Sequence, residues 1–339
     1  MRKRHSIAAP GRSRETRRKF VLSGAALLAA IGSGLARSQS AFPSKPVRII
    51  VGFPPGQAAD VFARMLAEKL QAQWRQSVVV ENRPGGAGTP AMIAGKLAAP
   101  DGHTLVMGTT STLATNPTLY PDLPYEPLTH FAPVSNVVIA PLVVVVHPSF
   151  TAQSLADLIA EAKNAPGKVQ FARAGQGTSQ HLTAELLQAR AGIQLTHVTY
   201  KGSAPALLEV LAGRVPVMVD SVASALPQIK AGKIRALAVT SARRIPQLPG
   251  VPTVAESGFP GFDCAGWAGI VVPAATPRAL IDRLSSDIQT ALADPALSAA
   301  IVARGAIADP RSPASFADYI RAETTKWAQV IREARVPAD

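Results

Sequence analysis

The chain of 339 residues is 47% hydrophobic, so it can bury a substantial core and is long enough for two domains. Its formal net charge of +13 would suit a nucleic-acid-binding protein, but nine of its 35 basic residues lie within residues 1–41. The remainder carries 26 basic and 21 acidic residues, a net charge of +5, with no basic run interleaved with aromatic residues. The charge distribution therefore argues against a nucleic-acid partner.

Residues 1–41 are typical of an export signal. A basic segment ends in Arg17-Arg18-Lys19-Phe20, close to the twin-arginine pattern of bacterial proteins that are exported already folded. The apolar stretch that follows is interrupted by glycine and is too short for a good membrane span. Small residues between Ala36 and Ala41 offer cleavage sites, so we predict a cleaved signal peptide, with an uncleaved N-terminal anchor as the alternative.

Cys264 is the only cysteine of the sequence, which excludes an intramolecular disulfide and makes a thiolate metal site improbable. Its neighbours, Phe262 to Trp267, are largely apolar and include no basic residue that would lower the pKa of the thiol. We therefore predict a buried, unreactive thiol.

The first element after the leader is predicted to be a strand, a tight turn and a helix. Residues 47–51 are mostly apolar and β-branched, which favours a buried strand. Pro54, Pro55 and Gly56 stop the strand, and Asp60 is placed to cap the helix that follows. The N-terminus of such a helix faces the carboxyl end of the strand, where its free N–H groups make an anion site.

Similar units recur along the chain in two series. In the first series, two more strands are predicted at residues 77–81 and 104–108. Proline-rich residues 116–134 are predicted to form a surface loop, and residues 137–147 a long buried strand or a strand pair. The strands predicted after this crossing lie at residues 169–172, 196–200, 215–219, 234–240 and 266–272.

Two series of βα units predict an α/β protein with two lobes and a shared cleft at the carboxyl ends of both sets of strands. We place the first lobe at residues 42–143 and 266–339 and the second lobe at residues 144–265. A mostly parallel sheet is expected in each lobe. In the second lobe, Ser154-Leu155-Ala156-Asp157 resembles a capping box at a helix start.

Several short motifs occur in one order over residues 42–335 and together resemble a known family. Among them are Phe42-Pro43-Ser44-Lys45-Pro46, Val80-Glu81-Asn82-Arg83-Pro84-Gly85, Ala99-Pro100-Asp101-Gly102, Phe131-Ala132-Pro133-Val134, Gly177-Thr178-Ser179-Gln180-His181-Leu182 and Tyr200-Lys201-Gly202-Ser203-Ala204-Pro205-Ala206. The pattern is similar to that of Bug-type extracytoplasmic receptors, the substrate-binding proteins of tripartite tricarboxylate transporters. This resemblance implies a type II periplasmic-binding-protein fold with a ligand cleft between two lobes. It also implies a monomeric periplasmic receptor that delivers a small carboxylate to membrane permease subunits.

The resemblance also assigns ligand-binding positions to turns of both lobes. In the first lobe these are Phe53, Gly56, Gln57, Asp60, Thr109, Ser111 and Thr112. In the second lobe they are Gly175, Gly177, Thr178, His181 and Asp220. For Asp220, capping of the following helix is an equally good interpretation. Several helix N-termini converging on one anion need neither a metal nor a cofactor.

Three residues depart from the pattern of the family: Gln57, Arg173 and Ser221. One hypothesis is that Arg173 or Gln57 binds an additional acceptor on the ligand, such as a second carboxylate. The alternative is that Arg173 extends into solvent. These departures concern the identity of the ligand rather than the fold.

Catalysis is not expected from this sequence. It lacks a Gly-x-Ser-x-Gly elbow, and its histidines show neither a His-x-x-x-His nor a His-Glu metal-binding spacing. We therefore predict a receptor without a metal centre. The alternatives are a ligand sensor that feeds a signalling partner and, less favoured, a hydrolase that acts on a small carboxylate.

Overall fold

The structure is a computed structural model that describes Met1, His5 and residues 42–336. The predicted signal peptide therefore lies outside the described residues, apart from Met1 and His5. Residues 45–339 form one compact unit, and all elements named below belong to it. Within the described part of the chain, no helix combines the length and the apolar character needed to cross a membrane.

The first lobe is built on three parallel strands. Strand β1 (Val47–Val51) lies between β2 (Val78–Asn82) and β3 (Thr104–Thr109) and is parallel to both. Two antiparallel strands extend this sheet: β9 (Ala265–Pro273) pairs with β3, and β4 (Phe131–Val146) pairs with β9. The predicted strand at residues 47–51 is confirmed and is almost completely buried. A turn and a helix follow it as predicted, although the helix begins at Ala58.

The second lobe repeats this arrangement on the other half of the long strand β4. Here β5 (Gln170–Arg173) lies between β6 (Thr196–Thr199) and β7 (Val217–Ser221) and is parallel to both. Strands β7 and β8 (Arg235–Val239) both pair antiparallel with the C-terminal part of β4. The short strand β10 (Ile307–Ala308) pairs with the N-terminal part of β4, in the first lobe. One sheet order, β2-β1-β3-β9-β4-β7-β5-β6, therefore runs through both lobes.

Helices cover the sheet in both lobes. In chain order they are α1 (Ala58–Trp74), α2 (Thr89–Lys96), α3 (Asn116–Leu119), α4 (Pro127–His130), α5 (Leu155–Asn164), α6 (Ser179–Ala191), α7 (Ser203–Leu211), α8 (Val222–Lys230), α9 (Arg278–Ala293), α10 (Pro295–Ala303) and α11 (Pro313–Glu333). The predicted capping box at Ser154 is confirmed, since its Oγ accepts from the Asp157 N–H and the Asp157 carboxylate accepts from the Ser154 N–H. The largest side chains of the core, which include Trp327, Phe131 and Phe316, are fully buried.

The surface loop predicted at residues 116–134 is wrong at both ends of the segment, and only residues 120–126 form neither helix nor strand. This segment contains α3, α4 and the first residues of β4, and Asn116 and Leu119 are fully buried. Two of its five prolines, Pro117 and Pro127, stand in the first turns of the two short helices, where a missing N–H costs nothing. Residues 137–146 belong to one long strand rather than a strand pair, and His147 follows its end. Because β4 continues through position 143, the lobe boundaries drawn from the sequence remain a prediction.

Candidate functional site

A small cavity of about 50 Å³ lies between the two lobes. Its polar lining consists of Gln57, Thr109, Thr110, Ser111, Ser179, Gln180 and Ser221. Phe53 and Trp267 supply aromatic walls, and none of the lining residues is charged. Pockets for small-molecule ligands commonly measure roughly 300–1,000 Å³. The lobes are therefore closed on each other in this arrangement, and a ligand larger than a few waters requires them to separate.

Three contacts join the lobes beside the cavity. The Thr115 Oγ1 donates to the Gly177 carbonyl oxygen at 2.9 Å. Gly202 adopts a φ of +116°, and a Cβ atom there would lie 3.0 Å from the Pro54 Cγ and 3.2 Å from the Gln57 Oε1. A Cβ on Gly266 would lie 3.1 Å from the Ser179 Oγ. Glycine thus permits the close approach of the two lobes at two of these contacts.

The first lobe presents the N-terminus of α1 to the cavity. Gln57 is the N-cap residue, and Ala58 and Ala59 of the first turn line the cavity. The first N–H groups of a helix have no partner within it, and the positive end of the helix dipole adds to them. An anion in the cavity would therefore meet unpaired donors and a favourable potential.

Asp60 does not cap α1 as predicted, because the helix begins at Ala58 and places Asp60 in its third position. The carboxylate is buried and accepts from the Gly56 N–H at 2.9 Å and from the Asn82 Nδ2 at 2.9 Å. Arg64 approaches both of its oxygens, at 3.0 and 2.9 Å. Although burial raises the pKa of Asp60, these hydrogen bonds hold it below its usual value. Asp60 therefore fixes the shape of the turn and stays ionised.

The second lobe presents the N-terminus of α6 to the same cavity. Thr178 is the N-cap residue, and its Oγ1 accepts from the His181 N–H at 3.2 Å. Ser179 and Gln180 of the first turn line the cavity. The His181 Nδ1 accepts from the Gly177 N–H at 3.3 Å. His181 thus occupies the same place in this turn that Asp60 occupies in the turn of the first lobe.

Asp220 lies behind the cavity wall at the end of β7. It is completely buried, and its Oδ1 accepts from the Ser203 Oγ at 2.5 Å and from the Ser221 N–H at 2.7 Å. Its Oδ2 has no hydrogen-bond partner among the described residues. Burial raises the pKa of Asp220 to about 6, against the lowering effect of these bonds and of the nearby Gln180. A buried carboxylate oxygen without a donor is costly unless a ligand supplies one.

Three residues that could bind a metal lie together behind the first turn of α6: His181, Glu185 and His197. The His181 Nε2 lies 3.1 Å from the Glu185 Oε1, and the His197 Nδ1 lies 3.5 Å from the same oxygen. The sequence analysis missed this cluster, because His181 and Glu185 are one helical turn apart and His197 comes from the adjacent strand β6.

The remaining predicted site residues have local partners. Thr112 accepts from the Thr109 N–H, and Thr178 donates to the Gly175 carbonyl oxygen. The Arg173 guanidinium donates to the Thr199 Oγ1 at 2.6 and 3.0 Å and does not line the cavity. The predicted residues that do line it are Phe53, Gln57, Thr109 and Ser111. The other assignments stay predictions, as does a ligand contact by Arg173.

Trp267 is a cavity residue that the sequence analysis missed. Its indole N–H donates to the Glu323 Oε2 at 2.9 Å, and its ring meets Phe316 edge to face at a centroid distance of 5.8 Å. Its backbone N–H donates to the Thr110 Oγ1. Helix α11 therefore holds this wall of the cavity, through a contact between residues 56 positions apart. The other missed polar residues lie between or next to assigned positions; they are Thr110, Ser179, Gln180 and Ser221.

Comparison with known protein families and sequences gives a consistent result. The profile described as "Tripartite tricarboxylate transporter family receptor" matches residues 62–336. A UPF0065 protein from the tcbD-tcbE intergenic region of Pseudomonas sp. (strain P51) is 40% identical over 336 residues, which is 99% of both chains. Protein BugT of Bordetella pertussis is 39% identical over 315 residues, covering 91% of this chain and 97% of BugT.

Solved structures agree with these relatives and confirm the predicted two-lobed periplasmic-binding-protein fold. A structure described as a periplasmic transporter has a TM-score of 0.85 and 35% identity, and covers 88% of this chain and all of that one. Rpa4515 of R. palustris, solved with adipate, has a TM-score of 0.84 and 33% identity, covering 86% and 98% of the two chains. MatC of Rhodopseudomonas palustris, solved with bound malate, has a TM-score of 0.81 and 29% identity, covering 86% and 100%. The chain therefore belongs to the tripartite tricarboxylate transporter receptors, a family of solute-binding receptors.

Proposed function

We propose that this protein is an exported receptor that captures a small carboxylate between its lobes and delivers it to a tripartite tricarboxylate-type membrane transporter. The observation that carries the proposal is the convergence of the α1 and α6 N-termini on one uncharged cavity. Peptide N–H groups and helix dipoles at such a place favour an anion without a basic side chain. The periplasmic location and the signal peptide at residues 1–41 belong to this proposal.

The ligand is a carboxylate that also carries a hydrogen-bond donor, such as a hydroxyl or an ammonium group. The α1 N-terminus suits the carboxylate, whereas the unpartnered Oδ2 of Asp220, the neighbour of the lining residue Ser221, suits a donor that reaches it once the lobes part. Relatives solved with adipate and with malate support a small dicarboxylate. Of these two, malate has the hydroxyl that Asp220 would need.

Binding requires the lobes to part and close again. β4 and β9 are the strands that pass from one lobe towards the other, and β4 pairs with β9 on one side and with β7 on the other. Bending of these strands near residues 140–142 and 264–266 would open the cavity in the manner of hinged binding proteins. The lobe boundaries at residues 143/144 and 265/266 are part of this proposal.

A signalling role would use the same binding event with a different partner. A hydrolase would need a nucleophile beside a free base, but His181 is engaged by the Gly177 N–H and by Glu185. We therefore favour a receptor over an enzyme.

The test is calorimetric titration of the processed protein, purified after export, with malate, succinate and adipate. We expect saturable 1:1 binding of at least one acid, and tighter binding of malate than of succinate, which lacks the hydroxyl. Mass spectrometry before and after incubation should recover the acid unchanged. Turnover of the acid would contradict a receptor. Absence of binding by every carboxylate in a broad thermal-shift screen would contradict the proposed ligand class.

A further inference from the structure

The His181, Glu185 and His197 cluster has the spacing of a metal site. Zinc bonds of about 2.0–2.2 Å place neighbouring ligand atoms roughly 3.3 Å apart. The two nitrogens that face the Glu185 Oε1 lie 3.1 and 3.5 Å from it, close to this value. The partners of the opposite ring nitrogens decide whether the facing nitrogens are free to bind a metal.

The opposite nitrogen of each ring faces a donor. The His181 Nδ1 faces the Gly177 N–H, which can only donate, so this nitrogen must be unprotonated. The His197 Nε2 faces the Gln188 Nε2 at 3.0 Å. The Gln188 amide cannot be reversed without loss of the Leu195 N–H bond to its Oε1, at 2.7 Å. In the neutral rings the proton therefore sits on the nitrogen that faces Glu185.

Both protons converge on the Glu185 carboxylate. Its Oε1 accepts from the His181 Nε2, and the His197 Nδ1 approaches the same oxygen. Its Oε2 accepts from the Gln188 Nε2 at 3.1 Å. A metal would require the lone pairs of the two nitrogens that carry these protons, so this arrangement favours a hydrogen-bond network over a cation site.

We propose that Glu185 and His197 are positioning residues of the binding site, which hold His181 in the Nε2–H form that accepts from Gly177 and so keep the α6 N-terminus in its ligand-binding shape. The ligand-dependent part of this inference rests on the proposed function. The tautomers and the hydrogen bond of Gly177 do not.

Acid breaks this network. An additional proton on either ring must go to a nitrogen that already faces an N–H donor, so protonation of His181 releases the Gly177 N–H. The charged groups facing the rings are Glu185, which favours the protonated form, and Arg173, which opposes it. Burial lowers the pKa of His197 below its usual value, which favours its neutral ring. The shape of the α6 N-terminus is therefore expected to be lost on acidification.

The first test needs no ligand. Nitrogen-15 NMR of the histidine rings should show the Nε2–H form for His181 and the Nδ1–H form for His197 at pH 7.5. Amide exchange should show protection of the Gly177 N–H that falls at least tenfold between pH 7.5 and pH 5.5. The opposite tautomers, or stoichiometric binding of Zn²⁺ that shifts both rings, would overturn the inference.

The second test uses two substitutions of His181. His181→Gln places an amide oxygen at the same helical position, where it can accept from the Gly177 N–H at any pH. We expect it to keep the Gly177 protection at pH 5.5, whereas His181→Ala loses it at both pH values. His147→Gln is the matched control, since His147 lies at the end of β4 and bonds to Ser149 instead. Loss of protection at pH 5.5 in His181→Gln would contradict the inference.

The third test measures affinity, with malate as the probe. Asp220, which lies near the cavity, also titrates in this pH range. At each pH the malate affinity of the parent is therefore divided by that of His181→Gln, so that the contribution of Asp220 cancels. We expect this ratio to fall at least fivefold between pH 7.5 and pH 5.5. Glu185→Gln removes the charge that favours the protonated rings, so its loss of affinity should begin at a lower pH. A ratio that stays constant with pH would refute the role of the network in binding. If malate does not bind, the nitrogen-15 NMR and amide-exchange measurements decide the inference.

Discussion

The two turns that enclose the cavity have the same plan and opposite chemistry. In each turn the residue at the third helical position accepts from the N–H that precedes the N-cap: Asp60 from Gly56 and His181 from Gly177. Each acceptor then pairs with a residue one helical turn later, Arg64 or Glu185. The order of acid and base is reversed between the lobes.

This reversal separates a permanent acceptor from a conditional one. Arg64, Gly56 and Asn82 keep the pKa of Asp60 below its usual value despite burial, so Asp60 remains an ionised acceptor in mildly acidic as well as neutral solution. An imidazole accepts only while it is neutral. The comparison therefore predicts a first lobe that is insensitive to mild acid and a second lobe that responds to it.

Removal of the permanent acceptor should have the largest effect. Asp60→Ala leaves the Gly56 N–H, the Asn82 amide and the Arg64 guanidinium without their shared partner. We expect the free energy of unfolding to fall by about 2–3 kcal/mol, measured by urea denaturation at pH 7.5. Asp282→Ala, which removes an exposed partner of Arg278, is the control and should cost less than about 0.5 kcal/mol. An equal loss in both variants would mean that Asp60 stabilises its turn no more than an exposed ion pair stabilises a helix.

The second acid of the cleft sharpens the comparison, because Asp220 lacks the full set of donors that Asp60 has. Its pKa of about 6 exceeds the value of 3.8 for a free side chain, so the folded state binds its proton more tightly. The stability gained in this way is present below pH 4 and lost as the pH rises through 6. Asp220→Asn keeps an oxygen for Ser203 and Ser221 and has no charge to bury.

We therefore expect Asp220→Asn to be more stable than the parent at pH 8, by up to about 3 kcal/mol, with the difference vanishing towards pH 4. Thermal unfolding at several pH values measures it. The same variant should lose the preference for malate over succinate. Unchanged stability at pH 8, or destabilisation at every pH, would mean that burial of the ionised Asp220 carboxylate does not lower the free energy of unfolding.

The smallest expected effect concerns the contact between Gly202 of the second lobe and the turn of the first lobe. Gly202→Ala places a methyl group against Pro54 and Gln57, which opposes closure of the lobes. We expect about a tenfold loss of malate affinity, equivalent to about 1.4 kcal/mol. Gly258→Ala is the matched control, because Gly258 has a similar φ of +104° but open space around it. Both variants carry backbone strain, so equal affinities in the two would show that the contact does not limit closure.

Local signals predicted the elements of this fold better than its site. The β1 strand, the turn at Gly56 and the capping box at Ser154 each depend on neighbours in sequence, and each was found. The prediction of a loop over residues 116–134 missed two short helices, because proline begins a short helix as readily as it ends a strand. Asp60 was placed at the wrong position of its helix, because Asp suits both the N-cap and the third position.

Long-range contacts account for what the sequence did not reveal. Trp267 is held in the cavity wall by Glu323, and His181 meets His197 across two elements, so no local spacing identifies either pair. Gln57 and Thr109 could be found because the family resemblance assigned the residues around the ends of β1 and β3 to the ligand site. Gln180 stood inside a quoted motif and Ser221 was noted as a departure from the family pattern, but neither was assigned to the ligand site.

The uncharged lining of the cavity has a consequence for how such a receptor changes its ligand over evolutionary time. In the proposed binding mode, the countercharge comes from the peptide backbone, which a point mutation leaves in place, while recognition of the remaining groups falls to small neutral side chains. Exchange of a threonine or a glutamine can thus retune selectivity without creating an unbalanced ion in the interior. A scaffold of this kind can diversify towards many organic acids while its fold stays the same.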